Sequence, residues 1–248
     1  MINSPIRSKT ARISLLINSA ESTVVVHPRL LIRRRSGGTV SAMGGYTTRA
    51  LSADTWDAFA ALCERNNGAG MGGCWCCWFH SATQAERRAN GGDDWRGFKE
   101  SLVRSDRAHA ALVFDGEDAI GWCQYGSPAE LPGIAHRADV EYPGAPHADY
   151  RLTCFFVDRR HRRQGVAETA LHGALELIAA AGGGVVEAYP FDIGRTGKAT
   201  ASASFLFNGT RTMLERAGFD YDRTKGKNHC IMRRTVPATA PPRSGSPP

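Results

Sequence analysis

The sequence of 248 residues predicts an α/β (α+β) fold in which helices flank one mixed central sheet. Three observations support this prediction. The periodic segments follow the order ααββ–loop–βαβαβ, which mixes helices and strands within one domain. Two strand-like segments are joined by a glycine-containing turn, as is typical of a hairpin. The segment RLTCFFVD is almost continuously apolar, as expected of a strand buried on both faces.

Two helical patterns precede the strands, in SADTWDAFAALCERN and DDWRGFKESLVR. Each places aromatic and aliphatic residues at helical spacing. Ser52 or Asp54 is positioned to cap the first helix, and Asp93 to cap the second.

Strand patterns follow in HAALVFDGEDAIGWCQYG, RLTCFFVD, GVVEAYP and HCIMRRTV. The first contains two strands joined by Gly116-Glu117-Asp118, and a long proline-containing loop over residues 127–150 comes after it. An amphipathic helix follows RLTCFFVD and stops at the glycines 182–184. A short helix in FLFNGTRTMLERAGF ends at Gly218.

The basic residues are concentrated at the N-terminus. Residues 1–42 hold seven bases and one acid, so most of the formal charge of +7 belongs to this arm. The rest of the chain is close to neutral, which removes the main support for a nucleic-acid partner. We expect residues 1–42 to be a disordered basic arm or to precede a true start at Met43, with a targeting peptide as a third reading. Residues 43–236 are expected to form the domain, and residues 237–248 a disordered Pro/Ser-rich tail.

Two further compositional features concern location. No apolar run approaches the roughly 20 residues that span a membrane, so no membrane association is expected. The seven cysteines are an odd number and occur with no visible secretory signal. A disulfide framework is therefore not expected, and a reducing cytoplasm is the predicted location.

A basic turn separates the buried strand RLTCFFVD from the helix that follows it. Residues 158–164 carry four arginines and one histidine, and Gly165 stands at the helix start. The first amides of a helix lack intrahelical partners and, with the helix dipole, favour an anion. Glycine allows close approach of a ligand, and Arg162 and Arg163 add charge complementary to phosphate. The pattern predicts a diphosphate-binding site.

The motif at this helix start identifies a family. The Gly197-Lys198 pair lacks the other residues of a Walker A loop, and no GxGxxG is present. The segment Arg162-Arg163-Gln164-Gly165-Val166-Ala167 instead resembles the [RQ]-x-x-G-x-[GA] signature of the GNAT N-acetyltransferases. The flanking strand and helix and the later phrase ERAGF strengthen the resemblance, which extends over about residues 46–236.

The resemblance implies a GNAT-like sheet and acetyl-CoA as co-substrate. No metal is expected, because the cysteine cluster at residues 74–77 lacks the ligand set of a zinc site. In that family the sheet splays between the strands that match RLTCFFVD and GVVEAYP, and the pantetheine arm lies in the gap. Backbone groups of Phe155, Phe156 and Val157 are then expected to pair with this arm, one N–H holding the thioester oxygen. The expected diphosphate ligands are Arg162, Arg163, Gln164, Gly165, Val166 and Ala167.

Transfer of an acetyl group to an amine calls for a base, since an alkyl ammonium has a pKa near about 10. Glu187 is the first candidate, with Glu141 and Asp192 as alternatives. Many family members have a tyrosine acid four residues before the glycine of the late helix, where this chain has Leu214. Tyr189 is the substitute candidate.

Asn208 opens the late helix. It is expected either to cap this helix or to contact the cofactor.

The segment GGCWCCWFH is the most unusual local feature. Cys74, Cys76 and Cys77 lack the second ligand pair of a zinc site, for which His80 and Cys123 are the plausible additions. The Cys74–Cys77 spacing is that of a redox CxxC unit, but no thioredoxin-like strand precedes it. The aromatic residues here are therefore expected to line or support the acceptor pocket, with the cysteines filling space. They are Trp75, Trp78 and Phe79.

The predicted function is a cytoplasmic acetyl-CoA-dependent N-acetyltransferase acting on a small-molecule or peptide amine. A homodimer through C-terminal edge strands is a further expectation from the family. Two alternatives stay open. One is a non-catalytic acyl-CoA-binding or sensor domain of the same fold, which Leu214 favours. The other is a redox or metal-binding protein built on the cysteines at 74–77.

Overall fold

A computed structural model describes residues 39–43, 45–69, 73–196 and 206–239. Most of the predicted basic arm, upstream of residue 39, and most of the predicted tail, from residue 240, lie outside the described residues. Across the described ranges, no helix is both long enough and apolar enough to cross a membrane.

One sheet in the described part of the chain has eight strands in the order β1-β2-β3-β4-β5-β6-β8-β7. Neighbours pair antiparallel except β5 and β6, which are parallel. The mixed sheet confirms the predicted fold class. The strands are β1 (Thr39–Met43), β2 (Tyr46–Ala50), β3 (His109–Asp115), β4 (Asp118–Gly126), β5 (Tyr150–Val157), β6 (Gly184–Ala188), β7 (Asp220–Lys225) and β8 (His229–Val236).

Helices lie on both faces of this sheet. The helix between β5 and β6 provides the crossover that parallel pairing requires. The helices are α1 (Trp56–Glu64), α2 (Gln84–Asn90), α3 (Trp95–Arg104), α4 (Val166–Ala180), α5 (Ile193–Thr196) and α6 (Arg211–Arg216).

The sheet separates two apolar cores. On one face, Ile178 of α4 shares a core with Leu152 of β5. On the other face, Phe59 of α1 and Leu102 of α3 share a core with Trp122 of β4. Alternate residues of a strand point to opposite faces, so each central strand contributes to both cores.

Several elements were not predicted from the sequence pattern. The hairpin of β1 and β2 precedes the first predicted helix, α2 lies between the two predicted helices, and α5 lies between β6 and the predicted late helix. Helix α2 has no buried residue, so it carries no apolar periodicity to detect. Strand β1 begins at Thr39, inside the segment that the sequence assigns to the arm.

The first two predicted helix caps have different outcomes. Ser52 opens the turn before α1 through a capping box, because its hydroxyl accepts from the Asp54 N–H while the Thr55 hydroxyl accepts from the Ser52 N–H. The predicted cap of the next helix is wrong by one residue. Asp94, not Asp93, accepts the Gly97 N–H at 2.7 Å, since it stands three residues before that donor.

Strands β5 and β6 separate after a short parallel ladder. Their pairing covers residues 150–152 of β5 and 186–188 of β6, although β5 continues to Val157. Cys154 and Leu152 face consecutive residues of β4, which leaves Thr153 as a β-bulge. A bulge bends its strand, and this one lies where the two strands part. Residues 153–157 therefore border a split in the sheet, at the place where the resemblance implies one.

Candidate active site

A segment of the chain itself, residues 206–210, crosses the split; we call it the strap. On the β5 side, the Phe155 N–H donates to the Phe207 carbonyl at 2.6 Å. On the β6 side, the Phe191 N–H donates to the Gly209 carbonyl at 3.0 Å. The strap therefore bridges β5 and the segment that follows β6, where the two strands no longer pair with each other.

Two backbone N–H groups of β5 point into the split. The first is that of Phe155, which the strap engages. Asp158 donates its N–H to Ile120 of β4 at 2.8 Å, so the N–H of the preceding residue, Val157, points the opposite way. Val157 thus presents a donor toward the split beyond the strap.

Phe156 lies between these two residues and serves the other side of the strand. Its N–H points toward β4, and its ring stacks on Trp122 with the ring centroids 4.6 Å apart. It supports β5 rather than facing the split.

Asn208 anchors the strap to β5. Its side-chain amide donates to the Thr153 carbonyl at 2.6 Å and is buried. The N-cap of α6 is Thr210, whose hydroxyl accepts the Met213 N–H. Of the two roles that the sequence left open for Asn208, the capping role is therefore wrong. The residue lies instead at the bulge, on the floor of the split.

The basic turn after β5 is organised by Asp158. Its buried carboxylate accepts the Arg160 N–H at 3.0 Å and forms ion pairs with Arg160 and Arg65, both at 3.1 Å. Hydrogen bonds from Arg160, and then from Arg65, hold the pKa of Asp158 well below its usual range although burial acts the other way. The chain therefore leaves β5 in a fixed direction toward α4.

Gly165 is the N-cap of α4 and has a φ of 80°. A Cβ atom there would meet nothing within 4 Å, and no side chain caps this helix. The first amides of α4 thus lack a side-chain acceptor among the described residues. Arg162 and Arg163 are exposed and form no ion pair within that part of the chain. An anion placed here would meet free helix amides and two unpaired guanidinium groups, which fits a diphosphate.

The other residues of the motif hold the helix start in place. The Gln164 side chain accepts from the Tyr46 hydroxyl and donates to the Arg160 carbonyl, both at 3.1 Å. Val166 is buried in the core, and Ala167 is half-buried beside it. These three residues position Gly165 against the sheet.

Glu187 and Tyr189 lie on the sheet face opposite α4. Their neighbours Val186 and Ala188 belong to the α4 core, and alternate residues face opposite ways. The Tyr189 hydroxyl donates to Glu187 at 2.5 Å, and Glu187 also pairs with Arg233. Both are almost fully buried, with 1% of Glu187 and 2% of Tyr189 exposed. Glu187, the base candidate predicted from the sequence, therefore already accepts a hydrogen bond from Tyr189 and pairs with Arg233.

The proton of Tyr189 is firmly held. Burial raises the pKa of this hydroxyl well above its usual value, with the nearby Arg151 charge opposing the shift and Glu187 adding to it. Tyr189 is thus a protonated donor at neutral pH.

The two alternative carboxylates are also paired. Glu141 accepts from Arg151 at 2.8 Å and from Arg137. Burial raises the pKa of Glu141, but these hydrogen bonds outweigh it and lower the pKa. Asp192 is buried and lies 3.4 Å from Arg211. None of the three carboxylates considered from the sequence is free of a basic partner.

The cysteine-rich segment forms a tight turn. The Cys77 N–H donates to the Cys74 carbonyl at 2.7 Å, and the two central residues, Trp75 and Cys76, have φ values of 48° and 59°. Positive φ at both central positions is the type I′ geometry, unusual for residues other than glycine and asparagine. It directs both side chains into the core, where Trp75 stacks on Trp56.

The cysteines themselves fill space. None of the seven forms a disulfide, and within the described residues no group of three or more potential ligands is arranged for a metal ion. Burial raises the pKa of the Cys77 thiol to about 12. Phe79 is buried 6.2 Å from the Phe207 ring of the strap, whereas Trp78 is 49% exposed. The segment therefore lies beside the split, with one indole on the surface.

Sequence reasoning missed Lys99, which is only 1% exposed. Its ammonium donates to Gln124 at 3.0 Å and to Nε2 of His80 at 3.2 Å. Burial and the Lys99 charge hold the pKa of His80 well below its usual value, so the ring is neutral. Gln124 in turn donates to the Thr153 hydroxyl at 3.2 Å, which links this buried lysine to the bulge.

These parts offer three chemical functions around one split. The start of α4 can bind an anion, Val157 presents a backbone donor, and Tyr189 carries a protonated hydroxyl on the opposite face from α4. Of the residues predicted from the sequence, Phe155, Val157 and Asn208 border the split, and residues 162–167 form the helix start that follows β5. Phe156 faces the other way, and Glu187 and Tyr189 form a buried pair at the end of β6.

The sequence matches no protein-family profile, and no curated protein is significantly similar to it. Solved structures similar to the fold include an acetyltransferase of the GNAT family from Desulfovibrio desulfuricans, 16% identical, covering 77% of this chain and 99% of its own, with a TM-score of 0.42. The PaiA N-acetyltransferase from Thermoplasma acidophilum, solved with coenzyme A, is 14% identical. The match covers 77% of this chain and 98% of its own, with a TM-score of 0.41. The GNAT domain of a Streptomyces lividans protein is 11% identical. The match covers 81% of this chain and 97% of its own, with a TM-score of 0.44.

Proposed function

We propose that the protein is an acetyl-CoA-dependent N-acetyltransferase. The observation that carries the proposal is the open N-terminus of α4 at Gly165, flanked by unpaired arginines and following β5, which has parted from β6 after Leu152. A diphosphate at that point and an extended arm along β5 form a continuous path into the split. The motif at residues 162–167 supports coenzyme A as the ligand.

In this proposal the diphosphate binds the amides of α4 together with Arg162 and Arg163. The Val157 N–H, which points into the split, serves the arm of the ligand as a backbone donor. A donor fixed by the strand needs no reorganisation as negative charge develops on a thioester oxygen. Asn208 and the strap form the floor against which the arm lies.

Acetyl-CoA supplies an acetyl group as a thioester, and transfer to an amine forms an amide and releases the thiol. Tyr189 is our candidate proton donor to the departing thiolate, and Glu187 positions its hydroxyl. The proton that the amine nitrogen loses as the amide forms returns to Tyr189. Because the three candidate carboxylates are paired, we propose that the acceptor ammonium loses its proton to solvent. The acceptor then reacts as the minority free amine, a small molecule or a peptide end.

Two measurements test the function. Calorimetry with coenzyme A should show one binding site per chain, lost when Arg162 and Arg163 are both changed to glutamine. Release of coenzyme A from acetyl-CoA should then be followed by chromatography with a panel of amines, because a colorimetric thiol reagent would also report any cysteine of the protein that it reaches. Binding together with amine-dependent release supports the proposal, and absence of binding contradicts it.

A non-catalytic acyl-CoA-binding domain is the second candidate. The observation in its favour is the Phe155 N–H, which the Phe207 carbonyl already occupies at 2.6 Å. Coenzyme A binding without release on any amine in the panel would favour this candidate over the enzyme.

A further inference from the structure

We infer that the acceptor is an anionic amine, a molecule that carries a carboxylate as well as its amino group, and that Lys225 binds the carboxylate with Arg151 behind it. The inference that the acceptor has an amino group rests on the proposed function. The inference that it also has a carboxylate rests on two buried cations near Tyr189, whose donors the structure leaves incompletely paired.

Lys225 ends β7 and is 5% exposed. Its ammonium lies 5.1 Å from the centre of the Tyr189 ring and donates to the carbonyl of Ala135, an exposed loop residue. An ammonium has three N–H donors, and this is the one hydrogen bond that it makes within the described residues. The Lys225 ammonium is therefore buried, has donors that no group of the described residues accepts, and contacts a loop residue that is itself exposed.

Two carboxylates face Lys225, and each is engaged elsewhere. Asp139 of the covering loop accepts the Gly226 N–H at 3.0 Å. Glu187 of β6 pairs with Tyr189 and Arg233. Neither makes a direct ion pair with Lys225 in the described part of the chain. Both carboxylates therefore act on this ammonium only from beyond ion-pair distance.

The remaining groups that face Lys225 are neutral or positive. His136 lies on the covering loop and His229 opposite Lys225 on β8. Burial, and then the Lys225 charge, lowers the pKa of His229 to about 4, so this ring is neutral. Arg151 of β5 is 3% exposed, and its terminal nitrogens already donate to Glu141 and to the carbonyls of Leu131 and Pro128. Its buried Nε–H has no acceptor within the described residues. Two buried cations around one tyrosine therefore have donors to spare.

A buried cation without a full set of partners is destabilising, and a carboxylate that accepts from both would satisfy it. Like-charge repulsion disfavours polycationic acceptors at the same place. Burial lowers the pKa of Lys225 to about 8, with Asp139 and Glu187 raising it and Arg151 lowering it. The ammonium is therefore charged at pH 7 and loses its charge above pH 8, so affinity for an anion should fall in that range.

The test uses matched pairs of acceptor probes that differ by one carboxylate: phenylalanine and phenethylamine, 4-aminobutyrate and propylamine, lysine and cadaverine. Binding of each probe is measured by calorimetry with coenzyme A present and absent, at pH 7 and pH 9.5. The variants are Lys225→Met, Lys225→Arg and, as a control that removes an exposed charge from the same turn, Lys227→Met.

We expect the carboxylate member of at least one pair to bind about tenfold more tightly than its partner at pH 7. Lys225→Met should abolish this preference, while Lys225→Arg and Lys227→Met keep it. The preference should shrink at pH 9.5 in the natural protein but not in Lys225→Arg, which holds its charge. If Lys225→Met fails to fold, the persistence of the preference at pH 9.5 in Lys225→Arg still tests the inference.

Two results overturn the inference. One is equal or tighter binding of the decarboxylated probe in every pair. The other is loss of turnover in Lys225→Arg with binding of the acceptor probes unchanged, since that would make Lys225 a base. The acetyltransferase proposal is tested separately, by coenzyme A binding and release. If it fails, the calorimetry of the probe pairs still shows whether Lys225 binds a carboxylate.

Discussion

The Phe155 N–H on β5 donates to the carbonyl oxygen of Phe207, 2.6 Å away across the split. This contact decides which backbone donors of β5 remain for a ligand, because it uses one of the two that point away from β4. Val157, two residues further along, presents the other.

Amide hydrogen exchange should separate these two donors. We expect the Phe155 amide to be protected in the free protein and to stay protected with coenzyme A, since the strap holds it. The Val157 amide should exchange faster in the free protein and become protected when coenzyme A binds. Residue-resolved exchange by NMR makes this measurement. Loss of protection at Phe155 on binding would mean that the ligand displaces the strap.

The conformation of Gly165 gives a second prediction, with an internal control. Gly165 and Gly144 both have a φ of 80°, and a Cβ on either would meet nothing within 4 Å. Alanine at a left-handed position costs about 1 kcal/mol, so both alanine variants should lose a similar free energy of unfolding in urea. Only Gly165→Ala places a methyl group at the start of α4, so only this variant should lose coenzyme A affinity, by about tenfold or more. Equal affinities would place the ligand elsewhere.

The sequence predicts the parts of the site that depend on neighbours in the chain. The apolar run of β5, the basic turn and the glycine before α4 are contiguous, and the order of strand, turn and helix follows from local periodicity. The split is not visible locally, because it depends on β6 and on a strap about 50 residues downstream. The resemblance to a family, rather than the pattern itself, placed it correctly.

Side-chain pairing is where sequence reasoning falls short. Glu187 looks like a free base on its strand, but its partner Arg233 is brought beside it by the β6–β8 register. Lys99 has a usable signal, because it lies one helical turn after Trp95 and one before Val103, on the inward stripe of α3. A lysine at such a position indicates a buried polar partner, here Gln124.

The buried pair of Glu187 and Tyr189 should separate stability from catalysis. Glu187→Gln leaves Arg233 with less countercharge and should lower the free energy of unfolding by about 2 kcal/mol, while still accepting from Tyr189. Tyr189→Phe removes the proposed proton donor and should lower kcat by about 100-fold with coenzyme A affinity unchanged. Urea unfolding and steady-state kinetics on both variants make the comparison. A larger kcat loss in Glu187→Gln than in Tyr189→Phe would assign the proton transfer to the carboxylate.

Asp158 should make the stability of the domain sensitive to acid. Its carboxylate is buried between Arg65 and Arg160, and hydrogen bonds from these arginines depress its pKa in the folded state. Because the folded pKa lies below that of the unfolded chain, the stabilisation is fully present above about pH 4 and is lost as the pH falls toward the folded value. Asp158→Asn should lower the free energy of unfolding by about 2 kcal/mol at pH 7 and flatten its decline between pH 5 and pH 2. Urea unfolding across that range, with the exposed Asp57→Asn on α1 as control, measures both effects. Parallel pH profiles for the natural protein and Asp158→Asn would show that this carboxylate does not organise the turn.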